Sequence, residues 1–256
     1  MKALLIDAGN SRLKWALLRG RQLLHVQARA WPAGDPAPLL ARVLRGAGAI
    51  DAIYVCNVAG VAVTRALGAG ARKLKLPAPR IIRSADRSGK LRNGYDEPWR
   101  LGADRWVALL GAQARFPGQA LCLVSIGTAL TIDFLDARGR HRGGLIIPGP
   151  ELMSASLQAR TAGIRRRAQG GSDAAGRGLF TRNTRQALRQ GARHACAALI
   201  ERALAGMATR LGEQPRLLLS GGGVAQVAPL LSVSFQRYAE PVLAGLAVIA
   251  RQAGLE

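Results

Sequence analysis

The chain has 256 residues, enough for one large domain or two smaller ones, and 49% are hydrophobic, so a sizeable core can be buried. Lys and Arg number 37 against 15 Asp and Glu, a net charge of +22, but the basic side chains are mostly Arg scattered along an Ala- and Gly-rich chain. That scatter reads as compositional bias and solvated helix faces before it reads as a polyanion site. No apolar run reaches bilayer length, and the opening reads as a strand, so no leader is expected. Cys56, Cys122 and Cys196 form no CxxC pair, which argues against a disulfide framework or zinc site, so the expected location is the cytoplasm.

In chain order, the opening predicts three short strands, at 3–6, 13–18 and 22–26, with turns at Gly9-Asn10 and Arg19-Gly20-Arg21. Pro32, Pro36 and Pro38 form a linker into a helix through 39–44. A strand at 52–58, an Ala-rich helix from Val61 and a short strand at 80–83 follow. The polar stretch 84–99 reads as a loop. Trp106, Leu109 and Leu110 then set a helical period over 102–115, ended by Phe116-Pro117-Gly118.

There the pattern starts again. Strands are predicted at 120–125, 130–135 and 143–147, and Pro148-Gly149-Pro150 opens a helix. A Gly-rich stretch at 170–178 looks flexible. A long helix over 184–211, a strand at 216–219 ending in Ser220-Gly221-Gly222-Gly223, and a final helix over 241–251 complete the chain. Asp7 and Ser125 occupy matching places, each two residues before a glycine, so the chain is an internal duplication. The expectation is an α/β protein of two lobes, 1–116 and 117–256, with a nucleotide cleft between them.

The repeated device suits phosphate. In Asp7-Ala8-Gly9-Asn10-Ser11 a strand ends in a carboxylate beside a turn whose glycine lets main-chain N–H groups approach a ligand. Asn10 and Ser11 add donors, Lys14 a positive charge, and Asp7 a ligand for Mg²⁺ through water. Gly127-Thr128-Ala129 repeats the turn with a hydroxyl. One copy alone reads as an ordinary hairpin; two copies with matched strands read as a phosphate clamp. The Ser220–Gly223 run offers bare backbone to a ligand, or simply a loop.

Asp104 and Arg105 fall in the first turn of the helix after "NGYDEPWRLGADRW". A carboxylate there is either a general base beside an anion-binding guanidinium or a residue favoured by the helix dipole. Tyr95 is a loop aromatic that either closes over a substrate or packs. The three histidines carry no metal or triad spacing. Asp7 and Asp133 lack the further carboxylates that a two-metal nuclease needs.

Taken together, these motifs resemble the type III pantothenate kinases, members of the acetate and sugar kinase, Hsp70 and actin superfamily with duplicated ribonuclease-H-like lobes. The resemblance runs the length of the chain. It rests on Asp7–Ser11 with Lys14, Tyr95 ahead of Gly102-Ala103-Asp104-Arg105, Gly127–Asp133, Gly143-Gly144 with Pro148-Gly149, and Ser220-Gly221-Gly222. It implies ATP-dependent phosphorylation of pantothenate to 4'-phosphopantothenate, the first step toward coenzyme A. Asp7, Ala8, Gly9, Asn10, Ser11, Arg12, Leu13, Lys14 and Thr128 would bind ATP. Asp104 would take the proton from the attacking hydroxyl, while Tyr95, Gly102, Ala103, Arg105 and Thr184, with Thr181 as second choice, would hold pantothenate.

The resemblance also implies a homodimer and a bound potassium or ammonium ion. The family's carboxylate for that ion falls on Ser125, which keeps an oxygen and loses the charge. Relatives named as transcription accessory factors share the pattern, so a non-enzymatic factor contacting nucleic acid is the alternative. Retention of Asp7, Asp104 and Arg105 favours the enzyme.

Overall fold

A computed structural model of the chain describes residues 1–169 and 179–254. The first half builds β1 (Lys2–Ala8), β2 (Arg12–Arg19), β3 (Gln22–Ala30), α1 (Ala37–Gly46), β4 (Ala52–Asn57), α2 (Val61–Lys73) and β5 (Pro79–Ile82). A small ribbon, β6 (Arg87–Ser88) with β7 (Leu91–Arg92), precedes α3 (Ala103–Arg115). The second half builds β8 (Leu121–Ile126), β9 (Ala129–Leu135), β10 (His141–Pro148), α4 (Pro150–Arg160), α5 (Ala162–Ala168) and α6 (Thr184–Leu211). It closes with β11 (Arg216–Ser220), α7 (Val224–Val227), β12 (Gln236–Arg237) and α8 (Pro241–Ala253).

Both sheets have the same plan. One runs β3-β2-β1-β4-β5 and the other β10-β9-β8-β11-β12. In each, the first strand of the half pairs antiparallel with the second and parallel with the fourth. Asp7 and Ser125 therefore end equivalent central strands, as the sequence repeat implies. The α/β class and the two ribonuclease-H-like layouts agree with the expectation. The expected flexible stretch at 170–178 lies outside the described residues.

Chain contacts divide the molecule into Met1–Gly118 with Ala137–His141 and Glu240–Glu256, and Gln119–Asp136 with Arg142–Ala239. This differs from a single break at 116/117, because the last helix returns to the first unit. The reason is apolar: Leu243, Leu246, Ala247 and Ala250 of α8 are buried, and α8 packs on α3, β1 and β4. Gly245 permits this packing. A Cβ at that position would lie 1.8 Å from the Val107 carbonyl oxygen of α3.

Side-chain alternation sorts each sheet into two faces. In the first unit Leu4, Ile6, Leu13, Ile53 and Val55 pack with α1 and α2. In the second, Val124, Ile132 and Leu219 pack with Cys196 and Ile200 of α6. The cap residues of α6 explain why it keeps its predicted bounds. Asn183 accepts from the Gln186 N–H at 2.9 Å, and Gly212 ends the helix in the left-handed region.

Candidate active site

In the first unit, β1 and β2 put Asp7 opposite Lys14, and β1 and β4 put Asp7 beside Cys56. By strand alternation all three share the face that α3 and α8 cover. The turn between β1 and β2 closes with Gly9 N–H donating to Arg12 O at 3.1 Å. Asn10, Ser11 and Arg12 are exposed at its tip, while Leu13 is buried among the β1 side chains. Trp31, which nothing in the local pattern singled out, clamps this turn. Its indole Nε1 donates to Gly9 O at 2.6 Å and its backbone N–H to Ser11 O at 3.3 Å.

Burial pushes the Asp7 carboxyl up to about 7; Lys14 opposes the rise, and Asp104 and Glu240 add to it. Burial first, then the Asp7 and Asp104 carboxylates, raise the Cys56 thiol, so this buried cysteine is held as an inert thiol. Asp7, Asp104, Lys14 and Glu240 thus act on one another electrostatically within a single unit. Lys14 Nζ forms an ion pair with Glu240 Oε2 at 2.7 Å. Glu240 was not among the expected site residues.

Asp104 sits in the first turn of α3, half-buried, with Oδ1 accepting the Arg105 N–H at 2.9 Å. Gly102 is the residue before the helix, and its carbonyl accepts the Trp106 N–H at 2.9 Å. Ala103 is the first helical residue. The Arg105 side chain is only 7% exposed. Its Nη1 donates to Tyr95 Oη at 2.8 Å. On the Tyr95 ring stacks His141, 3% exposed, with centroids 5.7 Å apart and planes at 20°. Sequence spacing gave His141 no role; it opens β10, 46 positions from Tyr95 by number (141 − 95), and no local signal joins them.

In the second unit, Ile126 O accepts the Gly223 N–H at 3.0 Å, and Thr128 O accepts the Gly149 N–H at 2.8 Å. The turn carrying exposed Thr128 is therefore held by both glycine loops that the sequence singles out. Gly221 is required here. It has φ +94, and a Cβ would come within 2.3 Å of Ile126 O. Ser125 is half-buried and lies in register between Thr131 on β9 and Ser220 on β11. Three hydroxyl residues thus stand side by side. The carboxylate on that face, buried Asp133, is two residues further along β9, opposite Leu123. Thr184 begins α6 and, like Thr181, is half-buried.

Comparison with known proteins decides the family. Residues 3–206 match the family model of type III pantothenate kinase. The chain belongs to the type III pantothenate kinases. It is 40% identical to one from Aromatoleum aromaticum over 97% of this chain and 98% of that protein. It is also 40% identical to one from Burkholderia ambifaria, over 97% and 96%. Among solved structures it resembles a protein assigned as a 2-dehydro-3-deoxygalactonokinase from Sinorhizobium meliloti, with a TM-score of 0.64 and 16% identity, covering 98% and 99% of the two chains. A protein assigned as a Baf family transcriptional activator from Campylobacter jejuni aligns with a TM-score of 0.56 at 19% identity, covering 99% and 100%. At such identities these likenesses carry the fold alone, so the second says nothing of a transcriptional role here. This pantothenate kinase is accordingly an enzyme.

Proposed function

We propose that this kinase transfers the γ-phosphoryl group of ATP to the primary hydroxyl of pantothenate, giving ADP and 4'-phosphopantothenate. The observation that carries the reading is the meeting, in one unit, of the Asp104–Arg105 pair with the Asp7–Lys14 pair. Asp104 accepts the hydroxyl proton as that oxygen attacks phosphorus and the bond to ADP breaks. The Arg105 guanidinium, steadied by Tyr95, pairs with the pantothenate carboxylate, and Gly102 and Ala103 border that site. Thr184 is the further substrate contact that the family resemblance implies. Residues Asp7 to Lys14 and Thr128 take the nucleotide phosphates.

Mg²⁺ fits the residues present. Among the described residues no group of three or more His, Cys, Asp or Glu could hold a metal, so the ion would rely on Asp7, water and the phosphates. A carboxylate that burial has pushed up to about 7 is one that a cation would return to its charged form. When bound, Mg²⁺ supplies charge neutralisation on the transferring phosphates. A potassium or ammonium ion fits less well. The Ser125, Thr131 and Ser220 row offers hydroxyls and no charge, so no step is assigned to such an ion.

The kinase acts as a homodimer in this reading. Leu145 and Ile146 of β10 and Leu152 and Leu157 of α4 are exposed apolar side chains that a second copy would cover. Three buried cysteine thiols suit the reducing cytoplasm, and no described helix is long and apolar enough to cross a membrane. The test is ADP formation from ATP and Mg²⁺ with and without pantothenate, beside Asp104→Asn. The variant should lose about 10²–10⁴-fold in turnover while still binding nucleotide. Wild-type turnover in Asp104→Asn would sink the assignment.

A further inference from the structure

We propose that Glu240 is a positioning residue for nucleotide binding: its carboxylate holds the Lys14 ammonium in place to meet phosphate, so the C-terminal helix serves the phosphate loop of the first unit. The proposal rests on Lys14 being a phosphate ligand. Lys14 and Glu240 are 226 positions apart, yet Nζ and Oε2 lie 2.7 Å apart with side chains 24% and 30% exposed.

Three observations separate this from an ordinary surface ion pair. First, Glu240 has φ 49 and ψ 51, a left-handed conformation that side chains other than Gly, Asn and Asp seldom adopt. If the backbone alone required that conformation, Gly or Asn would serve with less strain. Second, the residue stands at the N-cap of α8, and its side chain makes no hydrogen bond to the first turn of that helix. The oxygen is directed to Lys14 instead. Third, α8 is fixed on α3 through Gly245 and on β1 and β4 by its apolar face, so the carboxylate has a rigid mount. The same helix pair carries Asp104.

The arrangement also separates two carboxylates that compete for one ammonium. Asp7 is Lys14's cross-strand partner, but among the described residues the close ion pair goes to Glu240. Lysine has a long, flexible stem, so an anchor at its tip reduces the freedom lost on meeting phosphate. Asp7 is then left to a cation.

The experiment compares wild type, Glu240→Gln, Lys14→Met and the double variant. Readouts are the Kd of Mg²⁺ with a non-hydrolysable ATP analogue, the two KM values, kcat and thermal unfolding. Glu240→Gln should raise the nucleotide Kd and the ATP KM about threefold to tenfold. The pantothenate KM and Tm should stay near wild type, and the effect should vanish in the Lys14→Met background. Glu240→Asp should recover part of the loss. An unchanged ATP KM in Glu240→Gln, or a full second loss on top of Lys14→Met, overturns the proposal. So does a loss shared by both KM values with a lowered Tm, which marks a structural role. If Lys14→Met itself leaves nucleotide affinity intact, the reading of Lys14 as a phosphate ligand fails, and the proposal with it.

Discussion

Tyr95 and Arg105 are joined side chain to side chain, Nη1 donating to Oη at 2.8 Å, while His141 stacks on the tyrosine ring. A buried guanidinium is thereby held from a loop residue ten positions earlier. If Arg105 binds the pantothenate carboxylate, Tyr95→Phe should raise the pantothenate KM about threefold to tenfold with little change in the ATP KM. Arg105→Lys should cost more, because an ammonium cannot reproduce the planar fork. Steady-state kinetics with each substrate varied in turn checks both, and an increase confined to the ATP KM would refute the assignment.

Asp7 makes stability depend on pH. Its carboxyl sits at about 7 in the folded chain against an ordinary 3.8, so the folded state holds the proton more tightly. Stability from this group is therefore full below about pH 4, declines as pH rises from 4 to 7, and is level above. The three-unit gap corresponds to at most about 4 kcal/mol. Without Mg²⁺ or nucleotide, Asp7→Asn should be more stable than wild type at pH 8, and the gap should close on acidification. Denaturation curves from pH 4 to 8.5 test this; a difference independent of pH would rule out Asp7 as the cause.

Gly245 is where α8 touches α3. Because a Cβ would stand 1.8 Å from Val107 O, Gly245→Ala must push the helices apart. The cost should be about 1–3 kcal/mol. Turnover should fall as well, since α3 carries Asp104 and α8 follows Glu240. Thermal unfolding and kcat of the variant, measured together, decide it: an unaltered Tm would mean the contact is more yielding than its geometry implies.

Ser125 bears on the monovalent cation. With hydroxyls rather than a carboxylate at the end of β8, turnover should be equal within about twofold in sodium, potassium and ammonium salts. A Ser125→Asp variant should gain a potassium dependence. A strong potassium requirement in the wild type would show that oxygens other than this carboxylate position suffice.

Much of the site can be followed along the chain. The Asp7–Ser11 turn, the Asp104–Arg105 pair and the Gly127–Ala129 copy each lie within a few residues, so their chemistry travels with their spacing. The ends of α6 were readable for the same reason, Asn183 and Gly212 being local caps. The ribbon of β6 and β7 falls in the stretch whose sequence reads as a loop, because two-residue strands carry no period. Trp31, His141 and Glu240 were missed, and each meets the site through contacts distant in sequence.

Alternation, turn chemistry and the repeated strand plan depend on neighbours a few bonds apart, so the order of residues is sufficient to specify two duplicated α/β halves and a matching glycine turn in each. The partner of Lys14 and the unit to which the last helix belongs depend on something else. They follow from where apolar surface can be buried once both sheets exist: α8 leaves its neighbours in sequence for α3 because Gly245 lets backbone meet backbone there, and Glu240 is carried with it. Burial is a sum over the folded molecule, and no window of sequence contains it.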